Sequence, residues 1–289
     1  MENACLIVSS PSKMQRLSKQ WTLKKQTIGF IPTMGCLHEG HLSLMRQARK
    51  QTQKVVVSIF VNPLQFGRNE DFKIYPKPFE QDLQLCKEVG VDVIFHPTVS
   101  DFYPRQFQTT IDGNALAKKY CGRSRPGHFN GVLTAVHILF ELIRPSSAFF
   151  GEKDFQQLFL IKQMCRDLWI PTEIVPMPII RESNGLAMSS RNTYLNAEQK
   201  ENAACLFHAI SSVQAAVKKG YAKTAELHAL AASLINHAPG MEMEYAHFVD
   251  LKTLLPLGDN IHTSSRLLLA AHIGENPRVR LIDNGHIAV

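Results

Sequence analysis

Short unbroken apolar runs alternate along the first half of the chain with longer stretches of helical spacing. The runs are "TIGFIPT" (Thr27 to Thr33), "KVVVSIFV" (Lys54 to Val61), "VDVIF" (Val91 to Phe95) and "AFF" (Ala148 to Phe150). Rich in branched and aromatic residues and lacking polar alternation, they suit strands buried on both faces of a parallel sheet. Between and after them the spacing predicts helices over Leu42 to Gln51, Pro78 to Val89, Val132 to Ile143 and Phe155 to Leu168. Strand alternating with helix predicts a doubly wound α/β sheet. Ligands of such sheets bind beyond the carboxyl ends of the strands, so the loops after Thr33, Val61 and Phe150 are expected to converge on one site.

The texture changes after "PTEIVPMPIIRESNGLAMSSRNTYL". Helical stretches at Ala197 to Lys219 and Thr224 to His237 precede strand-like runs at Met243 to Val249 and Arg266 to Ile273. The expectation is a first domain over 1–182 and a smaller α+β C-terminal domain over 183–289, with Ser183-Asn184-Gly185 as a hinge.

Composition narrows the function classes. The 289 residues are 45% hydrophobic and 20% charged, as in an ordinary globular protein. A formal charge of +7 points to an anionic partner or to a merely basic surface. Basic residues neither form a block nor interleave with aromatics, which favours a small anion over nucleic acid. Six scattered cysteines without a C-x-x-C pair argue against a disulfide scaffold or thiolate metal site. The start "MENACLIVSSPSK" does not read as a signal peptide, and no stretch approaches the ~20 apolar residues of a membrane span. A cytoplasmic location without membrane contact is expected.

Candidate chemistry concentrates where strands run into helices. In "GFIPTMGCLHEGHLSLMRQA" a helix beginning near Gly40 or His41 would present unpaired backbone N–H groups and a positive dipole end, which favour an anion. Gly35 and Gly40 would let backbone approach a phosphate, and His38 and His41 would add side-chain donors. Gly35 and Gly40 have P-loop spacing, but His41 and Leu42 follow where that motif demands Lys and then Ser or Thr. Two surface histidines capping a helix explain the same residues. After the second strand, Asn62 and Gln65 are neutral donors and acceptors, although Asn62-Pro63 also reads as a simple turn. In "FFGEKDFQQ", Asp154 and Gln157 have capping-box spacing. Lys153 opposes the helix dipole unless an anion sits beside it. Met188 to Asn192, "MSSRN", adds two hydroxyls and a guanidinium near the domain junction.

These segments together resemble the pantoate–β-alanine ligase family. The resemblance is carried by "PTMGCLHEGHLSL", "FVNPLQFGRNEDF", "RPGHFNGVLTAV", "FFGEKDFQQL" and "LAMSSRNTYL", in the family's order and spanning nearly the whole chain. It implies a Rossmann-like nucleotidyltransferase domain, a C-terminal lid and a homodimer. It also implies an ATP site at Met34, Gly35, Cys36, Leu37, His38, Glu39, Gly40 and His41, at Gly151, Glu152, Lys153 and Asp154, near Ile180, and at Met188, Ser189, Ser190 and Arg191. His41 matches the family's proton donor, while Gln65 and Gln157 match the glutamines that hold pantoate, the amine substrate approaching near Gln65. Asn62 joins that substrate group. Some positions depart from the pattern: His137 and Glu141 replace Lys and Asn, and Gln81 precedes Asp82 where an acidic pair is frequent. Asp82 is therefore the candidate neighbour of Mg²⁺.

The implied reaction joins pantoate to β-alanine at the expense of ATP, through pantoyl adenylate. Negative charge would grow on the phosphates as pyrophosphate leaves, which assigns His38, His41, Lys153, Ser189, Ser190 and Arg191 to its stabilisation. A different H-x-G-H nucleotidyltransferase and a non-enzymatic nucleotide- or RNA-binding module are the alternatives. Within the first, a cofactor adenylyltransferase would leave AMP on its product and a tRNA synthetase fragment would need a domain to read tRNA; the second gives Gln65, Gln157 and Lys153 no purpose.

Overall fold

In a computed structural model, which describes residues 5–67 and 70–287, the chain divides into two compact units. One runs to Glu152 and resumes over Gln157–Pro178; the other comprises Lys153–Gln156 and the chain from Ile179 onward.

The first unit is built on a six-stranded parallel sheet of order β1-β4-β3-β2-β5-β6, flanked by helices. Its strands are β1 (Leu6–Val8), β2 (Ile28–Thr33), β3 (Lys54–Ile59), β4 (Val93–Phe95), β5 (Ser147–Gly151) and β6 (Glu173–Met177). The helices are α1 (Pro11–Leu23), α2 (Glu39–Gln51), α3 (Phe79–Val89), the one-turn α4 (Val99–Phe102), α5 (Asn114–Ala117) and α6 (Cys121–Ser124), and then α7 (His128–Ile143) and α8 (Phe155–Asp167), the last from Gln157 onward. The four apolar runs of the sequence are the four central strands. β3 and β4 extend the sheet on one side of β2, and β5 and β6 on the other, so the winding reverses between β2 and β5. In sheets of this kind ligands bind at such a reversal, beyond the strands' carboxyl ends, where the loops after Thr33 and Gly151 emerge.

Close packing beneath the site depends on small and apolar residues. A side chain at Gly29 would bring its Cβ to 2.5 Å from Thr52 Oγ1, so β2 and α2 pack closely only with glycine there. Ile31, Met45, Val57, Ile94 and Phe149 join Leu37 in the core beneath that helix, fixing the loop after β2 from below.

In the second unit, α9 (Ala197–Ala203), α10 (Cys205–Lys218) and α11 (Thr224–Asn236) accompany an antiparallel sheet of β7 (Met241–Asp250), β8 (Ser265–Ile273) and β9 (Val279–Ile287). The single helix expected over Ala197 to Lys219 is two, separated at Ala204. The anticipated hinge at Ser183-Asn184-Gly185 is instead a hydrogen-bonded reversal inside this unit. Gly185 N–H donates to the Glu182 carbonyl at 2.9 Å, and Leu186 N–H to Asn184 Oδ1 at 3.1 Å. Arg181 binds Asp283 through two contacts of 2.6 and 3.0 Å, which accounts for the division falling before 182. Among the described residues no helix is long and apolar enough to cross a membrane.

Candidate active site

The loop after β2 is held from two sides. Thr33 Oγ1 donates to the Ser58 carbonyl at 2.7 Å and accepts the Gly35 N–H at 3.2 Å. Asp82, reaching from α3, accepts the Cys36 N–H at 2.8 Å and the Leu37 N–H at 2.7 Å, one on each carboxylate oxygen. These anchors stabilise an unusual backbone, with φ of +84° at Gly35 and +52° at Cys36. Asp82 is 1% exposed, and burial pushes its carboxyl above the usual range despite the opposing Leu37 and Cys36 N–H groups and nearby His96. The carboxylate expected beside magnesium thus serves as the clamp of this loop. Among the described residues, no group of three or more His, Cys, Asp or Glu is arranged to hold a metal ion.

The clamp delivers the chain to α2, whose start is capped by the two histidines. His38 is the N-cap, and its Nδ1 accepts the Gly40 N–H at 3.2 Å; His41 Nδ1 accepts the His38 N–H at 3.4 Å. The capping explanation of these residues is therefore structurally true, but it does not exhaust them. A neutral ring whose Nδ1 accepts a backbone N–H carries its proton on Nε2, and the two rings lie 4.1 Å apart. Glu39, beside them in the first turn, pairs with Arg46.

The loop after β3 forms a short 3-10 turn, Pro63–Gln65, against the first turn of α7. Gln65 Nε2 lies 2.9 Å from Met34 Sδ, which brings a residue of the expected pantoate group to one of the expected ATP group. Behind Gln65 stands a polar network that the sequence did not reveal. The Gln65 carbonyl lies 2.7 Å from His128 Nδ1, and Arg125 Nη1 is 3.0 Å from His128 Nε2. Arg125 in turn binds Glu70 through bonds of 2.7 and 2.5 Å. Burial alone would raise the Glu70 carboxyl, but the Arg125 hydrogen bond and charge, with His128, hold it below its ordinary value. Arg68 and Asn69 of the same stretch lie outside the described residues.

Asn62, expected to touch substrate, is 2% exposed and spends its amide on protein groups: Leu64 N–H, Tyr103 O–H, the Gly131 carbonyl and Gln65 Oε1.

Gly151 ends β5, with open space where a side chain would stand, and Glu152 to Asp154 make one 3-10 turn into α8. Gln157 follows in the first turn of α8, half-buried, in the first unit. Lys153 belongs to the second unit, where its carbonyl accepts from Asn284 Nδ2 at 2.8 Å. Its ammonium is 3.9 Å from the largely exposed Asp154 carboxylate, a contact too open to hold it strongly.

In the second unit, the Met188 N–H donates to the Ile180 carbonyl at 2.9 Å, and Ser189 Oγ accepts the Arg191 N–H at 3.3 Å. Asn192 closes the base of this loop by donating to Glu182 Oε1 at 2.6 Å and to the Ala187 carbonyl at 3.1 Å. The Ser-Ser-Arg segment is thus a shaped 3-10 turn, with Ser189 as its cap. The expected site residues accordingly form two groups, Met34 to His41 with Asn62, Gln65, Gly151, Glu152 and Gln157 in the first unit, and Lys153, Asp154, Ile180 and Met188 to Arg191 in the second.

Residues 6–286 match the family model described as pantoate-beta-alanine ligase. The chain is 46% identical over 278 residues to the pantothenate synthetase of Geobacter sulfurreducens, covering 96% of this chain and 97% of that one. It is similar to the crystal structure of the Thermus thermophilus pantothenate synthetase, with 40% identity, a TM-score of 0.91 and coverage of 98% and 100%. A Francisella tularensis pantoate-beta-alanine ligase, solved in complex with beta-gamma ATP and beta-alanine, is 35% identical with a TM-score of 0.79 and 98% coverage of both chains. The chain belongs to the pantoate–β-alanine ligase family, enzymes that join pantoate to β-alanine in an ATP-dependent reaction.

Proposed function

We propose that this chain carries out the ligase reaction by the following division of labour. A pantoate carboxylate oxygen attacks the α-phosphorus of ATP, the bond from that phosphorus to the bridging oxygen breaks, and pyrophosphate departs. The β-alanine nitrogen then attacks the acyl carbon of pantoyl adenylate, the bond to the phosphate oxygen breaks, and AMP leaves. The observation that carries the assignment is the doubled histidine cap. Each imidazole takes a backbone N–H on Nδ1, which fixes both rings at a helix N-terminus, and the loop that carries them contacts Gln65 through Met34.

Backbone of Met34 to His41, the α2 N-terminus and Gly151 to Asp154 form the proposed ATP site, completed by the backbone near Ile180 and by Met188 to Arg191. His38, His41, Lys153, Ser189, Ser190 and Arg191 stabilise the charge that develops as pyrophosphate leaves. Gln65 and Gln157 hold pantoate with neutral amides, which align its carboxylate without setting a negative charge beside it. The second unit acts as the lid domain. Magnesium accompanies ATP and neutralises its phosphates. Asp82, whose two oxygens hold backbone N–H groups, does not fit as a dedicated ligand, so no step is routed through the metal. The working form is a homodimer in the cytoplasm.

Exchange of labelled pyrophosphate into ATP, dependent on pantoate and measured before β-alanine is added, tests the first step. His41→Ala and Lys153→Ala are expected to stay folded and lose exchange by about 10²–10³-fold, the usual cost of one oriented donor. A variant with normal exchange removes that residue from the mechanism.

A further inference from the structure

The Asn62 side chain is saturated. Its Oδ1 accepts from the Leu64 N–H at 3.1 Å and from the Tyr103 hydroxyl at 2.8 Å, while Nδ2 donates to the Gly131 carbonyl at 3.0 Å and to Gln65 Oε1 at 3.1 Å. A primary amide has two donor hydrogens and two acceptor lone pairs, so none remains for a ligand. Its orientation is also settled by groups that cannot change role. Exchanging oxygen and nitrogen would set an NH₂ against the Leu64 N–H and a carbonyl against the Gly131 carbonyl.

That orientation passes to Gln65. Because Asn62 must donate, the Gln65 amide turns its oxygen inward and leaves Nε2 as the outward group, with the weakly accepting Met34 Sδ at 2.9 Å. The Tyr103 hydroxyl completes the chain from the far side. Its ring is packed among Phe60, Phe102 and Phe107 at centroid distances of 5.9, 4.9 and 4.8 Å, so the hydroxyl is delivered from a filled aromatic cluster. Burial pushes that phenol well above its usual range, which keeps it a neutral donor.

We propose that Tyr103 and Asn62 are positioning residues that orient Gln65 so that it presents N–H donors, rather than its carbonyl, to the oxygens of the substrate acid. The inference rests on Gln65 holding pantoate and moves Asn62 from substrate contact to support.

Pantoate-dependent pyrophosphate exchange of the full chain is the test, run on wild type, Tyr103→Phe, Gln65→Ala and the double variant, with KM measured for pantoate and ATP. Tyr103→Phe is expected to raise the pantoate KM about 3- to 10-fold, the worth of one neutral hydrogen bond, with the ATP KM unchanged. In the Gln65→Ala background the same substitution should change the pantoate KM less than about twofold, because the group it orients is gone. Asn62→Asp, which cannot donate to Gln65 Oε1, should cost more than Tyr103→Phe. An equal effect of Tyr103→Phe in both backgrounds, or none in either, overturns the proposal, since a purely structural tyrosine would act regardless of residue 65. Wild-type chain lacking pantoate-dependent exchange would instead overturn the functional reading beneath it.

Discussion

Gly131 lies in the first turn of α7, where alanine would ordinarily stabilise a helix by about 1 kcal/mol. The packing reverses that expectation. A Cβ at this position would stand 2.2 Å from the Leu64 carbonyl oxygen, 2.4 Å from its carbon and 2.6 Å from the Gln65 nitrogen. All three are backbone atoms of the turn that carries Gln65, so no side chain can swing aside. Restoring ordinary contact requires the helix and the turn to part by roughly 1 Å, and overpacking of this kind costs about 1–3 kcal/mol. For units of this size Gly131→Ala should lower Tm by roughly 2–10 °C. The same displacement moves Gln65 and breaks the Asn62 bond to the residue 131 carbonyl, and a misplacement of about 1 Å near a reacting group can cost on the order of 100-fold in rate. Calorimetry and pantoate-dependent exchange measure the two effects. Gly258→Ala is the control, because nothing lies within 4 Å of a Cβ there. A Gly131→Ala chain with unchanged or higher Tm and pantoate kinetics matching wild type would refute the argument from close approach.

Asp82→Asn keeps one acceptor but turns an NH₂ toward a backbone N–H. It should raise the ATP KM at least about tenfold while stability falls by less than about 3 kcal/mol, because relief of carboxylate burial offsets part of the lost bond; an unchanged ATP KM would remove Asp82 from the clamp role. The lowered Glu70 carboxyl contributes stability above its unfolded value near 4.5, which is lost as pH falls through the lower folded value. The Tm difference between wild type and Glu70→Gln should therefore be largest near about pH 6 and close under acid conditions, and a pH-independent difference would contradict the linkage. Burial pushes Cys86 and Cys205 up to about 12 and Cys165 to about 11. Native protein at about pH 8 should leave these three unmodified by iodoacetamide until denaturant is added, and rapid labelling of any one would show its site to be open.

The central strands were legible because Ile28–Thr33 and Lys54–Ile59 are almost wholly buried, and continuous burial writes a continuous apolar run. The outer strands β1 and β6 escaped for the opposite reason. β1 has only three residues, two of them exposed, and β6 includes a proline and alternates only weakly. β9 was hidden by its polar residues. Asp283 and Asn284 are almost fully buried, and the buried Asp283 carboxylate depends on Arg181, 102 positions away. Of the expected site residues, those of the glycine-histidine turn and of the Ser-Ser-Arg loop are local and could be read as motifs. The Asp82 clamp and the Tyr103–Asn62 chain join residues 46 and 41 positions apart, and no local pattern announces such pairs.

The four residues Lys153–Gln156 are detached in sequence from the rest of the unit to which they belong. Within it, the Asn284 amide grips the Lys153 carbonyl, and the Arg266 guanidinium lies 4.0 Å from the centre of the Phe155 ring. The polypeptide therefore enters this unit, leaves it and enters again, so the second unit is not a cassette that can be cut out at one point. An excised fragment starting at Ile179 would expose the surface that Phe155 covers, whereas a circularly permuted chain opened elsewhere could keep every contact. Protein engineers seeking to graft or exchange this unit must carry two pieces of chain, and recombination between relatives at a single crossover near residue 178 would pair one parent's Lys153–Gln156 with the other parent's Arg266 and Asn284.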